Sequence, residues 1–170
     1  MTLLPISRLP KACETLEAPD FAIGCGDNQA VVAAKMGGCV MMVSKVGDDL
    51  LAPETVANLR RQDVDTCFIT TELGTSRSVT PIFFDEQSQN CILIIKGANQ
   101  QLKAANIDAA EALKACQLII LQLEIPLKTV YYTIDFARQH NIKVILNPVP
   151  AVADLDRYRL RLQVRLLYAE

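Results

Sequence analysis

The chain has 170 residues, 51% of them hydrophobic and 21% charged, which is typical of a single globular domain. Its 17 basic and 19 acidic side chains give a formal net charge of −2, so no strongly basic surface is available for nucleic acid. The apolar runs are far shorter than the roughly 20 residues of a membrane helix, and no signal peptide is recognisable. We therefore expect a cytoplasmic protein without nucleic-acid or membrane partners.

Strand and helix signals alternate along the chain. A short strand at 21–23 leads into a glycine turn and a helix at 28–36. Further strands are expected at 39–44, 67–71, 78–84, 91–96, 117–123 and 143–146, and further helices at 49–61, 107–116 and 127–139. This alternation predicts a parallel sheet with helices on both faces.

Three local features refine this expectation. Asp48 and Asp49 are placed to cap the helix that runs to about Arg61. The segment 117–123 is apolar without alternation, which predicts a strand buried on both faces. The hairpin at 78–96 breaks the strand–helix alternation and is interpreted as a small flap outside the main sheet.

Cysteine and histidine are not arranged for metal or nucleophilic chemistry. The six cysteines include no C-x-x-C pair, whereas zinc sites need closely spaced ligands and disulfide scaffolds occur in small secreted chains. We interpret them as free buried thiols in a reducing compartment. The single histidine, His140, lies at the expected end of a helix, where a cation suits the helix dipole. No metal site is predicted.

Polar residues occur where several predicted strands end, which is where open α/β sheets bind ligands. These ends are 24–26, 46–48, Glu124 and Asn147. A carboxylate such as Glu124 after an apolar strand is costly unless it meets a partner or a ligand, and local pairing or solvation is the alternative. The Asn147-Pro148-Val149-Pro150 turn is rigid, and a purely structural role stays open.

The turn Gly24-Cys25-Gly26-Asp27 has three interpretations. A dinucleotide fingerprint is disfavoured, because its third glycine and an acidic ribose partner are missing. A phosphate cradle at a helix N-terminus would let Asp27 accept a proton from an alcohol. The third interpretation is a strand-to-helix turn with Asp27 or Asn28 as the N-cap.

Several motifs in the same order along residues 8–156 resemble the ribokinase, or PfkB, family of carbohydrate kinases. They include Asn28-Gln29-Ala30-Val31, Lys45-Val46-Gly47-Asp48-Asp49, Lys96-Gly97-Ala98-Asn99, Gln122-Leu123-Glu124 and Leu146-Asn147-Pro148-Val149-Pro150-Ala151. Ile23-Gly24-Cys25-Gly26 and Cys116-Gln117-Leu118-Ile119 are most similar to the deoxyribokinase branch of that family.

The resemblance implies a three-layer α/β/α sandwich with a β-lid, whose strands would lie at about 3–25 and 67–98 and would form a homodimer contact. It implies transfer of the γ-phosphoryl group of ATP, with Mg²⁺, to a hydroxyl of a pentose such as ribose or deoxyribose. It also implies a set of substrate-binding residues, namely Gly24, Gly26, Asn28, Gly97, Ala98, Asn99 and Glu124.

The chain departs from the family pattern in its sugar loop. The family reads Gly-Gly-Lys-Gly-Ala-Asn-Gln there, and the best alignment of this chain loses three residues, including the lysine. A shortened loop is expected to weaken sugar binding, since donors must be closely positioned. Gly24-Cys25-Gly26-Asp27 also resembles the family's catalytic Gly-Ala-Gly-Asp motif. We interpret that match as coincidental, because its flanks belong to the sugar loop.

The ends of the chain also differ from the family pattern. The family's first strand would precede Met1, and its catalytic aspartate, magnesium-linked motif and nucleotide pocket would follow Asp156. Residues 157–170 match no family segment, but a back-translation read one base later resembles the next family strand, which predicts a frameshift. Two hypotheses follow: a ribokinase-type pentose kinase, or an inactive remnant that keeps lid dimerisation or weak sugar binding.

Overall fold

A computed structural model of the chain describes residues 25–76, 78, 82–84, 90–92, 95, 97–153, 155 and 164–166. In chain order the elements are α1 (Cys25–Lys35), β1 (Val40–Val46), α2 (Ala52–Arg61), β2 (Val64–Thr71), β3 (Ile82–Phe84), β4 (Asn90–Ile92), a 3₁₀ helix (Ala98–Gln101), α3 (Ala104–Ala109), a second 3₁₀ helix (Glu111–Ala115), β5 (Leu118–Gln122), α4 (Leu127–Gln139), β6 (Lys143–Asn147) and β7 (Val164–Leu166).

The described strands form two parallel groups and one antiparallel hairpin. β1 pairs in parallel with β2, and β6 pairs in parallel with β5 and with β7. β3 and β4 are antiparallel, with Ile82 opposite Ile92, and they form a two-stranded sheet of their own. Helical crossovers between parallel strands and a separate hairpin agree with the alternation of elements in the sequence.

Helices pack on both sides of the strands. Buried residues of α3 and α4 form one core cluster with β5 and β6, and buried residues of α1 and α2 form a second cluster with β2. In β1, Met41 and Val43 pack against the first cluster, whereas Val40 and Met42 pack against the second. Because successive side chains of a strand point to opposite faces, β1 lies between the two helical layers. The fold is the expected α/β/α sandwich.

Helix α4 shows how the sequence directs this packing. Its buried residues Val130, Thr133, Ile134 and Ala137 recur three or four positions apart, which places them on one face of the helix. That face packs on Leu121 and Leu146 of the neighbouring strands. α4 ends at Gln139, as predicted, and the rings of His140 and Phe136 pack at a tilt of 48°, with their centroids 4.5 Å apart.

The N-termini of α1 and α2 differ from expectation. α1 begins at Cys25, so Asp27 lies inside its first turn and neither Asp27 nor Asn28 is an N-cap. α2 has Leu51 at its N-cap position, without a side-chain cap. The carboxylate of Asp49 instead accepts a hydrogen bond from the backbone N–H of Leu51 at 3.0 Å, within the turn that precedes the helix.

The prediction of one continuous helix at 107–116 is wrong. The single helix at 107–116 is α3 followed by a 3₁₀ helix, with a break at Ala110, whose ψ of 66° leaves the helical region. Ile107, Ala110 and Leu113 are all buried in the same cluster, and the three-residue turn of a 3₁₀ helix keeps such a spacing on one face.

The prediction that the strand at 117–123 is buried on both faces is also wrong. The side chains of β5 alternate between buried and exposed, with Leu118 42% and Ile120 37% exposed. α4 covers the other face, where Ile119 and Leu121 join the core.

Other expectations concern the lid and the two ends of the chain. Of the lid strands expected at about 3–25, residues 3–24 lie outside the described residues, and Cys25 begins α1. β2 runs from Val64 to Thr71 and pairs with β1 at both of its ends, with a register shift between Met41 and Val43 of β1. β7 lies within the segment 157–170, for which the sequence predicts a non-family tail.

Candidate functional site

The first turn of α1 lies against the carboxyl end of β5 and against Met42 of β1. A Cβ atom on Gly26 would lie 3.1 Å from Oε1 of Gln122 and 3.5 Å from Cε of Met42. Gln122 also donates a hydrogen bond from Nε2 to Oε1 of Gln29, one turn further along α1. The glycine at position 26 therefore permits a close approach between this helix and the sheet.

The segment 97–99 is fixed at the carboxyl end of β1. Oδ1 of Asn99 accepts hydrogen bonds from Oγ of Ser44 at 2.9 Å and from the backbone N–H of Lys45 at 3.4 Å. The N–H of Gly97 donates to Oγ of Ser78 at 3.1 Å. Ala98 is fully buried. These contacts fix the Oδ1 end of the Asn99 amide, whose Nδ2 group is a hydrogen-bond donor.

Glu124, two residues beyond β5, is held through its backbone. Its carbonyl oxygen accepts a hydrogen bond from Nε2 of Gln100 at 2.8 Å, which links it to the 3₁₀ helix at Ala98–Gln101. The preceding residue, Leu123, donates its N–H to the carbonyl oxygen of Val149 at 3.0 Å. The 3₁₀ helix at Ala98–Gln101 and the loop after β6 thus fix the backbone at the partly buried Glu124.

Asp27 and Glu124 interact electrostatically at this edge. Burial, and secondarily the negative charge of Glu124, raises the pKa of Asp27 from 3.8 to about 7, because both effects disfavour the ionised form. Asp27 therefore changes its charge near neutral pH. When protonated it donates a hydrogen bond, and when ionised it only accepts.

Asn147 ends β6 at the same edge of the sheet. It is the register partner of Gln122, the last residue of β5. Its Oδ1 atom is buried and accepts no hydrogen bond from any residue that the structure describes. The sequence marks this position as a strand end but gives no indication that its oxygen is unsatisfied.

The structure brings most of the site residues expected from the sequence to one edge, but not all of them. Gly26, Asn99 and Glu124 lie at the edge formed by α1, β1 and β5, and Gly97 and Ala98 flank Asn99. Asn28 lies on α1 with an exposed side chain, and Gly24 lies outside the described residues.

Sequence reasoning did not single out Gln100 or Gln122 as connecting residues. Each stands next to or within a recognised motif, as in Gly97-Ala98-Asn99-Gln100 and Gln122-Leu123-Glu124. That adjacency is the available signal. Their partners lie 24 and 93 positions away in the chain, so spacing within the sequence does not predict the contacts.

Mg²⁺ is implied by the family resemblance, and its ligands can be sought among the described residues. Across them, no group of three His, Cys, Asp or Glu side chains is placed to hold a metal ion. Lys45, at the end of β1, pairs with Glu72 at 2.5 Å, and we assign no described residue to ATP. None of the helices within the described ranges is long and apolar enough to span a membrane.

The two groups of parallel strands between helical layers define an α/β protein, and the polar residues lie at the carboxyl ends of its strands, where proteins of this class bind their ligands. The profile described as pfkB family carbohydrate kinase matches residues 21–163. The chain belongs to this family, and the resemblance in its motifs is thereby confirmed.

Individual relatives agree with this assignment. The chain is 52% identical over 154 residues to the deoxyribokinase of Salmonella typhi, covering 88% of this chain and 50% of that protein. It is 34% identical over 154 residues to the ribokinase of Mus musculus, covering 88% and 48%. The ribokinase structure from Thermotoga maritima matches with a TM-score of 0.65 and 32% identity, covering 76% of this chain and 42% of that one. The chain thus spans about half the length of the relatives it matches.

Proposed function

We propose that the chain binds a pentose, 2-deoxyribose or ribose, as part of an ATP-dependent pentose kinase of the deoxyribokinase and ribokinase type. Membership of the carbohydrate kinase family and 52% identity to a deoxyribokinase support the class of substrate. The observation that carries the proposal is Glu124, which loops at the carboxyl edge hold in place from two sides.

The edge has the chemistry that a sugar requires. Each sugar hydroxyl both donates and accepts hydrogen bonds, so a pentose site needs acceptors and donors held at fixed positions. Glu124 supplies a carboxylate acceptor, and the oriented amide of Asn99 supplies a donor. Gly26, whose missing Cβ lets α1 approach Gln122, and Gly97 place no side chain at this edge. Asn28 completes the set of residues that we assign to the sugar.

ATP with Mg²⁺ would supply the phosphoryl group that is transferred to the sugar. Phosphoryl transfer depends mainly on positioning and on stabilisation of charge. We propose that the described residues contribute the positioning of the acceptor sugar, and we derive no step of the reaction from them beyond that.

Calorimetric titration of the whole chain with ribose and with 2-deoxyribose tests the proposal. Glu124→Ala should weaken binding at least about tenfold, because a hydrogen bond to a charged group contributes about 1.5–3 kcal/mol. Glu111→Ala is the matched control, since Glu111 is an exposed glutamate that pairs with Lys114 at 2.6 Å. Unchanged affinity is expected for that variant.

A phosphoryl-transfer assay with ATP and Mg²⁺ then separates the two hypotheses from the sequence. Formation of a pentose phosphate assigns the kinase reaction to this chain. Binding without turnover limits the chain to the sugar side of the reaction. If neither pentose binds, the proposed function is wrong.

A further inference from the structure

Asn147 has a buried oxygen atom, Oδ1, for which the described residues supply no donor. Oδ1 of this residue accepts no hydrogen bond within the described part of the chain. Buried side-chain polar atoms in folded proteins are nearly always hydrogen-bonded, so an unpaired one needs a physical explanation. A bound ligand that supplies the missing donor is one such explanation.

The backbone around Asn147 is constrained, which fixes the position from which its side chain extends. Leu146, the residue before it, is fully buried, and the carbonyl oxygen of Asn147 accepts a hydrogen bond from the N–H of Val149 at 2.8 Å. Pro148 and Pro150 each restrict their own φ angle. A rigid support of this kind is what a binding residue requires.

The register of the sheet places Asn147 beside residues of the proposed sugar site. Asn147 pairs with Gln122 across parallel strands, and paired residues of neighbouring strands project to the same face. Gln122 is bonded to Gln29 of α1, so this is the face on which the first turn of α1 lies. Glu124 follows Gln122 by two residues, and its loop is joined to the loop after Asn147 through Leu123 and Val149.

We propose that Asn147 is a further pentose-binding residue, whose Oδ1 accepts a hydrogen bond from a sugar hydroxyl. The inference rests on the proposed function and adds a residue to the set that binds the sugar. A hydroxyl group is a suitable donor because it satisfies a neutral carbonyl oxygen without bringing in a charge. A trapped water would satisfy the same oxygen, and the experiment below distinguishes the two.

The test replaces Asn147 by leucine, which has a similar shape and lacks the acceptor. Ribose and 2-deoxyribose are titrated into the wild-type chain and into Asn147→Leu, and thermal unfolding is recorded with and without sugar. We expect at least a tenfold loss of affinity. The unfolding midpoint without sugar should be unchanged or higher, because no described residue donates to the oxygen that is removed. The increase of the midpoint by sugar should fall accordingly.

Asn58→Leu is the matched control, because Asn58 is a buried asparagine on α2, away from the carboxyl edge. It should keep the wild-type affinity whatever its effect on stability. If Asn147→Leu does not fold, the same titrations on Asn147→Ala decide the question.

The outcomes separate the two proposals. Wild-type affinity in the Asn147 variant overturns the inference and leaves the proposed function standing. A lowered midpoint without sugar, together with unchanged affinity, assigns Oδ1 to a structural water and also overturns it. If the wild-type chain binds neither pentose, both proposals fail.

Discussion

At the scale of single residues, the two carboxyl groups of Asp27 and Glu124 dominate the electrostatics of the edge. The family pattern places a short uncharged residue in the sugar loop before its Asn-Gln pair, whereas this chain has Asp27 there. A second carboxyl group beside Glu124 adds negative charge where sugar hydroxyls are proposed to bind. Its protonation therefore influences both the stability of the chain and the acceptors available to the sugar.

The raised pKa of Asp27 predicts a pH dependence of stability. Its pKa is about 7 in the folded chain against 3.8 as the reference, so the folded state holds the proton more tightly than the unfolded state. The free energy of unfolding should therefore fall as pH rises from about 4 to about 7, and level off above that. Asp27→Asn removes this fall in the free energy of unfolding, because asparagine does not ionise. Relative to wild type, the variant should gain on the order of 2 kcal/mol between pH 5 and pH 8.

Urea unfolding of both proteins at pH 5 and at pH 8 measures this difference. Asp63→Asn, at an exposed position, controls for the removal of one negative charge. Parallel pH profiles for wild type and Asp27→Asn would contradict the prediction, since they would mean that Asp27 has the same pKa in both states.

At the scale of elements, the sequence predicts best where one physical signal dominates. The apolar periodicity of α4 sets both of its ends, because one face packs fully into the core. The start of α1 is not predicted, since a turn rich in glycine and a helix N-terminus share the same residue types. The break at Ala110 carries no turn residue and depends on packing against α4. The unpaired oxygen of Asn147 likewise depends on the register between β5 and β6.

Two glycine substitutions test whether the docking of α1 shapes the site. In Gly26→Ala the new methyl group would lie 3.1 Å from the end of the Gln122 side chain, which must move and disturb its bond to Gln29. Alanine is the better helix former by about 1 kcal/mol, so stability should change little. Sugar affinity should fall at least about tenfold, because binding groups need positions fixed to within about half an ångström.

Gly38→Ala is the comparison for Gly26→Ala. Its Cβ atom would lie 2.9 Å from the backbone carbonyl oxygen of Ala33, so the backbone must shift and stability should fall. Gly38 lies at the other end of α1, and the affinity of the folded chain should be unchanged. Calorimetry measures the sugar affinity of both variants, and thermal unfolding measures their stability. We expect Gly26→Ala to lower the affinity and Gly38→Ala to lower the stability. Equal losses of affinity in the two variants would show that the position of α1 affects binding only through global stability.

At the scale of the whole molecule, the described part of the chain covers one face of β5 and leaves the other partly open. Leu118 and Ile120 are 42% and 37% exposed, although they alternate with core residues on the same strand. Neighbouring exposed apolar side chains on a strand favour association. We expect the chain to associate through this face, in addition to any dimer that the hairpin of β3 and β4 forms.

The double variant Leu118→Lys/Ile120→Lys tests this association. Replacing two apolar side chains by lysine removes the hydrophobic gain from covering the face and adds charge repulsion between copies. The association constant from sedimentation equilibrium should fall by about tenfold or more, with the cooperative thermal transition retained. Leu121→Lys, on the buried face of the same strand, should instead abolish the cooperative transition, because it places a charge in the core. An unchanged association constant in the double variant would leave the hairpin, to which the sequence assigns the dimer contact, as the surface to test next.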